Sequence, residues 1–287
     1  MRDAINCFTI DLEPWMCFYD NIPLRKEMDQ GATSYLTGKI LEILEEHNVR
    51  ATFFVVGKIY EWYPDLIHEI AKKGHEIAFH TYSHRYLLNV NTFQREFEKA
   101  KQFIKKYNPR GFRAPKVTFI RKEYIPIMRS WGFIYDSSVY ASIGKPIQIT
   151  YKNSSILEIP VTTYPFIKLK KQKISFPRTL LNAIMNFEVP IGSGLMMSLL
   201  SPRILNKLIK KLNDQGKSCV MFIHPWQLLG AAYITKGRRL KEYLFKLPYS
   251  IRITEKKISG ILSQHKFSTI INYISKKHNL TGLLKKE

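Results

Sequence analysis

The stretch PDLIHEIAKKGHEIAFHTYSH, residues 64–84, contains one complete helix-to-strand unit. Pro64 is favoured in the first turn of a helix, apolar residues then recur at helical spacing, and Gly74 is favoured just past a helix end. Residues 75–80, HEIAFH, have the length of a strand and three consecutive apolar residues at its centre. The stretch therefore predicts a helix that leads directly into a strand, which is the building unit of α/β proteins.

The same alternation extends in both directions along the chain. The other predicted strands are 5–10, 52–56, 111–113, 133–136, 156–161 and 218–223, with a weak last strand at Phe267. The other predicted helices are 34–47, 92–107, 122–131, 202–213 and 268–277. Strand and helix repeated this often imply parallel strands joined by right-handed crossovers. We expect a single α/β domain over residues 1–287, with functional residues at the carboxyl ends of its strands.

Two segments depart from this rhythm. Residues from about 164 to 200 are basic at first and then rich in Pro, Gly, Ser and Met, which predicts an inserted loop region of the kind that shapes substrate sites. Residues 231–287 contain 13 Lys and Arg against 3 Asp and Glu, a net charge of +10. This basic C-terminal region is suited to contact with an anionic membrane surface.

Composition excludes several classes of protein. Hydrophobic residues make up 45% of the chain, which excludes overall disorder. The net charge of +22 indicates either a polyanionic partner or solvated lysine-rich helix faces. Since no helix-turn-helix, RNA-binding sheet or zinc-finger signature is present, we expect no nucleic acid as partner. No stretch reaches the about 18 consecutive apolar residues of a membrane span.

Localisation is predicted from two further features. No export signal is visible at the N-terminus. The 3 cysteines are widely spaced and odd in number, which indicates a reducing compartment rather than a disulfide framework. We expect a cytoplasmic protein, with the inner face of the membrane as a place of peripheral contact.

Two polar clusters follow predicted strands. Asp11 and Glu13 face one side of an extended chain together, because side chains alternate along a strand. His80 and His84 begin where a later strand ends, at the same level of the predicted sheet. Two imidazoles and one carboxylate form a standard catalytic zinc shell with an open position for water. His75 precedes that strand, and we expect it at the opposite end in a structural role.

Two more strand ends carry single polar residues. His224 ends a buried strand, where a general acid would be useful. Arg113 ends another strand, where a bidentate contact could fix and ionise a carboxylate.

Six short motifs follow one another along the chain. They are DLE at 11–13, ATFFVVG at 51–57, GHEIAFHTYSH at 74–84, GFRAP at 111–115, GFIYDSS at 132–138 and FIHPW at 222–226. In this combination the chain resembles the polysaccharide deacetylase family, carbohydrate esterase family 4, over residues 5–226. The likeness is greatest to a subgroup with Asp-x-Glu and His-Pro-Trp motifs that serves bacterial exopolysaccharide or glycolipid pathways.

The resemblance implies a fold and an activity. The fold is a distorted (β/α)7–8 barrel that forms a single catalytic domain. The activity is that of a hydrolase of non-peptide carbon–nitrogen bonds, a metal-dependent deacetylase that removes the N-acetyl group of an amino sugar. By position, His80 and His84 match the metal-binding histidines, Arg113 matches the arginine that orients the catalytic aspartate, and His224 matches the general acid. The implied ion is Zn²⁺ or another divalent metal such as Co²⁺.

The first and last motifs differ from the family pattern. Most members carry two adjacent aspartates, a base and then a ligand, whereas this chain has Leu12 at the second place. We assign Asp11 as the base and Glu13 as the third metal ligand, and the exchange of these two roles stays open. Gln227 follows the last motif where the subgroup tends to carry an acidic residue.

The expected substrate is an N-acetylated glycan, either a bacterial polysaccharide or a lipid-linked sugar. Trp15, Tyr82 and Trp226 lie beside the motifs and are candidates to stack on sugar faces. One alternative keeps the fold and the metal but changes the substrate to a formylated sugar or a small cyclic amide. Another alternative is a catalytically inactive relative that binds glycan or anionic membrane through its basic face.

Overall fold

A computed structural model describes residues 4–19, 22–118, 121–165, 188–229 and 252–277. In these residues the strands are β1 Asn6–Leu12, β2 Thr52–Val55, β3 Glu76–Phe79, β4 Gly111–Phe112, β5 Tyr135–Asp136, β6 Tyr140–Ala141, β7 Ile147–Tyr151, β8 Ser154–Glu158, β9 Val161–Thr162, β10 Tyr164–Pro165, β11 Glu188–Val189, β12 Val220–Ile223 and β13 Phe267–Ser268. The helices are α1 Lys26–Asp29, α2 Ala32–Glu46, α3 Gly57–Trp62, α4 Pro64–Lys72, α5 Val90–Lys99, α6 Lys101–Tyr107, α7 Ile125–Ser130, α8 Gly194–Leu199, α9 Pro202–Asn213, α10 Glu255–Leu262 and α11 Ile270–Lys277.

Most strands form one sheet in the order β12-β1-β2-β3-β4-β5-β8-β7, with β13 also paired to β1. Every neighbouring pair from β12 to β8 is parallel, and only the hairpin of β7 and β8 is antiparallel. All seven residues of β1 are buried, as a strand covered on both faces requires. The predicted α/β fold with parallel strands is confirmed by this topology.

Gly192 joins β12, at one end of the main sheet, to β9 of the separate two-stranded sheet β6-β9. Its N–H donates to the carbonyl of Thr162 in β9, and its own carbonyl accepts from the N–H of Phe222 in β12, both at 2.8 Å. A Cβ at this position would lie 2.3 Å from the carbonyl oxygen of Val220. Only glycine permits this close approach of the backbones at the junction of β9 and β12.

The stretch over residues 64–84 folds as predicted. Helix α4 begins at Pro64, and Gly74 adopts a left-handed φ of +78° where the chain turns into β3. The predicted helix over 92–107 differs from the structure, because the chain forms α5 and α6 with a break at Ala100. Strand β7 has no counterpart among the predicted strands.

The two irregular segments are described only in part. Of the inserted region predicted over 164–200, residues 166–187 lie outside the described residues, while β10 and β11 pair and α8 follows them. Of the basic region over 231–287, residues 231–251 and 278–287 lie outside them. Its described part is a packed element of the barrel, because Ile270 and Tyr273 of α11 belong to the same buried cluster as Cys7 of β1. No described helix combines the length and the apolar character that crossing a bilayer requires.

Candidate active site

The parallel strands bring the predicted polar residues to one end of the barrel. Asp11 and Glu13 stand at the end of β1, His80 follows β3, and His224 follows β12. The Nε2 atoms of His80 and His224 each lie 3.5 Å from a carboxylate oxygen of Glu13. His84 Nε2 lies 2.5 Å from Glu13 Oε2. The sequence-predicted ligand candidates therefore surround one carboxylate.

The two carboxylate oxygens of Glu13 have different surroundings. Its Oε1 accepts a hydrogen bond from the indole N–H of Trp226 at 3.1 Å. Its Oε2 is buried and accepts no hydrogen bond from the described residues, although two imidazole nitrogens lie near it. A buried carboxylate oxygen without a donor is costly unless a cation satisfies it. The carboxylate and imidazoles are also a donor set that suits a divalent metal, so these residues fit the ion that the sequence predicts.

The protonation of these groups follows from their surroundings. Burial alone would raise the pKa of Glu13, but the neighbouring imidazoles, those of His84 and His224 foremost, hold it well below its ordinary value. Burial would lower the pKa of His80, but the carboxylates of Asp11 and Glu13 outweigh it and raise that pKa. For His84, burial outweighs the attraction of Glu13 and lowers the pKa.

His80 is oriented by the neighbouring strand. Its Nδ1 lies 2.7 Å from the carbonyl oxygen of Arg113. Because a carbonyl only accepts, Nδ1 carries a proton, and in the neutral ring the lone pair is on Nε2, which faces Glu13. A hydrogen bond of this kind to the second ring nitrogen is a common feature of histidines that bind metals.

A tight loop after β3 positions His84. Thr81 and His84 have left-handed φ values of +62° and +54°, which cost strain in residues other than glycine. The loop is held by the N–H of His84, which donates to Thr81 Oγ1 at 3.0 Å, and by the carboxylate of Glu96. Glu96 accepts hydrogen bonds from the backbone N–H and the hydroxyl of Ser83 at 2.7 and 2.8 Å. Sequence reasoning missed Glu96, which lies 13 residues from its partner.

Arg113 is fully buried and fixes Asp11. Its Nη1 donates to Asp11 Oδ1 at 2.6 Å and to the hydroxyl of Thr9 at 2.8 Å. Its Nε and Nη2 donate to the carbonyl and the hydroxyl of Ser137. The bidentate contact expected from the sequence is therefore wrong, since Ser137 occupies the other two nitrogens.

Gln227, noted as a departure from the family pattern, orients His224. Gln227 Oε1 accepts from the backbone N–H of His224 at 2.9 Å and lies 3.1 Å from His224 Nδ1. Its amide nitrogen donates to the carbonyl of Gly194, so the amide oxygen is the atom that faces the imidazole. The imidazole stacks on Trp226 with 4.7 Å between ring centroids. His224 Nε2 is thereby turned toward Glu13.

The three predicted sugar-stacking residues do not share one position. Trp226 lines a cavity of about 280 Å³ together with Asp11, Glu13, His84 and His224. Trp15 and Tyr82 are not among the residues that line it, and their role in sugar binding stays a prediction. The Trp15 indole N–H donates to the carbonyl of Met28 at 3.4 Å, and the Tyr82 hydroxyl donates to Glu61 at 3.1 Å.

Cys17 is a residue of the site that sequence reasoning missed. Donor atoms of Cys17, Glu13 and His84 all lie within 4.8 Å of one another. Cys17 belongs to the short 3-10 helix Trp15–Phe18, which begins two residues after Glu13. The spacing of four residues between Glu13 and Cys17, across one helical turn, is the sequence signal that could have identified it.

Comparisons with known families match most of the chain. A family model described as polysaccharide deacetylase matches residues 15–135. A second model, described as a domain of unknown function, matches residues 134–275.

Two curated relatives resemble parts of the chain. A peptidoglycan-N-acetylglucosamine deacetylase of Bacillus cereus is 39% identical over 115 residues, which cover 39% of this chain and 40% of the relative. A chitooligosaccharide deacetylase of Rhizobium leguminosarum bv. trifolii is 38% identical over 78 residues, which cover 26% of this chain and 36% of the relative. The matched part is well under two thirds of the length of either relative.

Two solved structures share the fold. A protein of Mycobacterium smegmatis, described as a polysaccharide deacetylase, superposes with a TM-score of 0.61 at 19% identity and covers 100% of this chain and 95% of its own. The Puue allantoinase has a TM-score of 0.57 at 15% identity, with coverages of 96% and 90%. At these identities the likeness concerns the fold alone, and it confirms the predicted single-domain α/β barrel.

Proposed function

We propose that the chain, whose residues 15–135 match the polysaccharide deacetylase family model, is a metal-dependent hydrolase of the N-acetyl group of an amino sugar. The substrate is an N-acetylated glycan, in a bacterial polysaccharide or carried on a lipid. Glu13, His80 and His84 would hold the ion, Zn²⁺ or Co²⁺.

One observation carries the proposal. Glu13 Oε2 is buried, accepts no hydrogen bond from the described residues, and faces the Nε2 atoms of His80 and His84 at 3.5 and 2.5 Å. Asp11 differs, because its carboxylate is already paired with the Arg113 guanidinium at 2.6 Å, whereas Oε1 of Glu13 accepts from the uncharged indole of Trp226. This contrast supports Glu13 as the ligand and Asp11 as the base, rather than the reverse.

The residues divide the chemistry among them. A divalent ion, when bound, polarises the acyl carbonyl and increases the acidity of water. Asp11, oriented by its ion pair with Arg113, accepts a proton from the water whose oxygen attacks the carbonyl carbon. The carbon–nitrogen bond then breaks, and His224 donates a proton to the departing amine, which would otherwise be a poor leaving group. The products are acetate and a free amino sugar.

Acetate release from a chitooligosaccharide tests the proposal. The protein is stripped with a chelator, dialysed and restored with zinc or cobalt. We expect acetate release only with the metal, and its loss in His80→Ala. His68→Ala is the matched control, because His68 is exposed on α4, away from the strand ends. Undiminished activity in His80→Ala, or after chelation, contradicts the proposal.

A further inference from the structure

A second cavity of about 570 Å³ adjoins the one that contains Asp11 and Glu13. Cys17 and His84 line both cavities, so the two spaces meet beside the proposed ligand His84. The reaction proposed above occupies only the smaller cavity. A glycan that extends beyond the acetylated sugar would have the larger cavity as its path.

The larger cavity has a different charge from the smaller one. Lys58 and Arg85 line it, and no carboxylate is found among its described lining residues. Carboxylates near the loop after β3 are engaged elsewhere, since Glu96 accepts from Ser83 and Glu61 accepts from Tyr82. The larger cavity is therefore cationic, although it adjoins two buried carboxylates.

Both cations have donors left for a ligand. Arg85 is exposed and has no hydrogen bond or ion pair with any residue in the described part of the chain. The Lys58 ammonium donates one long bond, 3.5 Å, to the carbonyl of Leu24. A guanidinium presents a planar fork of donors that matches a carboxylate or a phosphate. An ammonium beside it adds a second positive charge.

The position of Arg85 is set by the catalytic loop itself. It follows His84 directly, in the loop that Glu96 and the left-handed residues hold in place. At the junction of the cavities, Lys116 of the smaller one donates to the hydroxyl of Tyr86 in the larger one at 2.9 Å. An anion at Arg85 would thus stand at a fixed place relative to the proposed metal ligands.

We infer that the larger cavity binds an anionic group of the substrate, a carboxylate or a phosphate, next to the sugar that loses its acetyl group. The inference rests on the proposed function and specifies its substrate class as an acidic glycan. Two sources supply this chemistry, an acidic sugar residue of the polymer and the phosphate of a lipid carrier.

Three N-acetylated substrates of equal chain length test the inference. One is a neutral chitooligosaccharide, one carries a carboxylate on the neighbouring sugar, and one carries a phosphate at the reducing end. At low ionic strength we expect kcat/KM for at least one anionic substrate to exceed the neutral value by about tenfold, the effect of one charge-assisted contact. Preference for the phosphate indicates a carrier, and preference for the carboxylate indicates an acidic polymer.

The double variant Lys58→Ala/Arg85→Ala should bring the ratio of anionic to neutral kcat/KM close to one. The matched control is Lys101→Ala/Lys105→Ala, which removes two exposed charges from α6 and should leave the ratio unchanged. Equal kcat/KM for the three substrates in the unmodified protein would overturn the inference. A preference for the anionic substrates that persists in Lys58→Ala/Arg85→Ala would also overturn the inference.

Calorimetric binding of the same three oligosaccharides separates this inference from the proposed function. Binding requires no turnover, so an anionic preference of about tenfold that depends on Arg85 supports the cavity even if no acetate is released. Release of acetate with no anionic preference in binding or in kcat/KM leaves the proposed function standing and rejects the inference.

Discussion

Removal of the Arg113 guanidinium should destabilise the fold through Asp11. The two side chains are 0% and 2% exposed and lie 2.6 Å apart. Arg113→Met leaves the Asp11 carboxylate buried without its counterion, which costs about 3–5 kcal/mol in comparable sites. Asp11→Asn keeps an acceptor for the guanidinium and costs about 1–3 kcal/mol. The double variant has no uncompensated charge. We therefore expect its loss of unfolding free energy to be about 2 kcal/mol smaller than the sum of the losses in the two single variants.

Urea unfolding of the metal-free protein measures this coupling. Tryptophan fluorescence and far-ultraviolet circular dichroism are followed for the unmodified protein, both single variants and the double variant. The pH is kept mildly alkaline, because the His80 imidazole lies 4.0 Å from Asp11 and a protonated ring would partly replace the guanidinium. Unchanged m values would show that the variants alter stability rather than the surface exposed on unfolding.

An exposed ion pair is the control for the cycle. Lys210 and Asp214 on the surface are 2.8 Å apart with side chains 70% and 56% exposed. The same cycle with alanine at these positions should give a coupling below about 0.5 kcal/mol, because solvent screens the pair. A coupling between Arg113 and Asp11 as small as that of the control would refute the reasoning.

Two further predictions concern a buried acid pair and the thiol of the site. Burial raises the pKa of Asp136 to about 6 and that of Glu158 well above its ordinary value. Both carboxyl groups therefore stay protonated in the folded protein at pH values where they ionise in the unfolded chain. The free energy of unfolding is highest at low pH and falls as the pH rises through the folded-state pKa. Unfolding free energies should therefore fall by about 3 kcal/mol for Asp136 alone between about pH 4 and pH 7, and a Glu158→Gln variant should show a flatter profile. Cys17→Ser should retain close to one equivalent of zinc by mass spectrometry after gel filtration, whereas Glu13→Gln should lose it. Loss of zinc in Cys17→Ser would instead make the thiol a ligand.

The parts of the fold that the sequence predicts are those with a strong local pattern. Strands β1, β2 and β3 are apolar runs with every or nearly every residue buried, and α4 carries its own start and stop residues. Strand β7 escaped prediction because it lies at the edge of the sheet, with only one of its five residues buried. The break between α5 and α6 at Ala100 has neither proline nor glycine to signal it.

The same distinction applies to the site. Its central residues could be predicted because parallel strands must end at one edge, whatever the loops do. Trp15 and Tyr82 could not be placed, because the carbonyl of Met28 and the carboxylate of Glu61 decide where their polar atoms point. Contacts of this kind join residues that no periodicity connects. Glu96 was missed for the same reason.

The replacement of the second aspartate by Leu12 has a geometric explanation. Leu12 is the last residue of β1, pairs in register with Val55 and lies in the apolar core, so a carboxylate at this position would face away from the imidazoles. The chain then turns at once, and the N–H of Glu13 donates to the carbonyl of Asp11 at 3.0 Å. This turn directs the longer side chain of Glu13 back over the strand end, between the imidazoles and Trp226. The proposed ligand position just after the strand thus reaches the centre of the site, and Leu12 packs in the core.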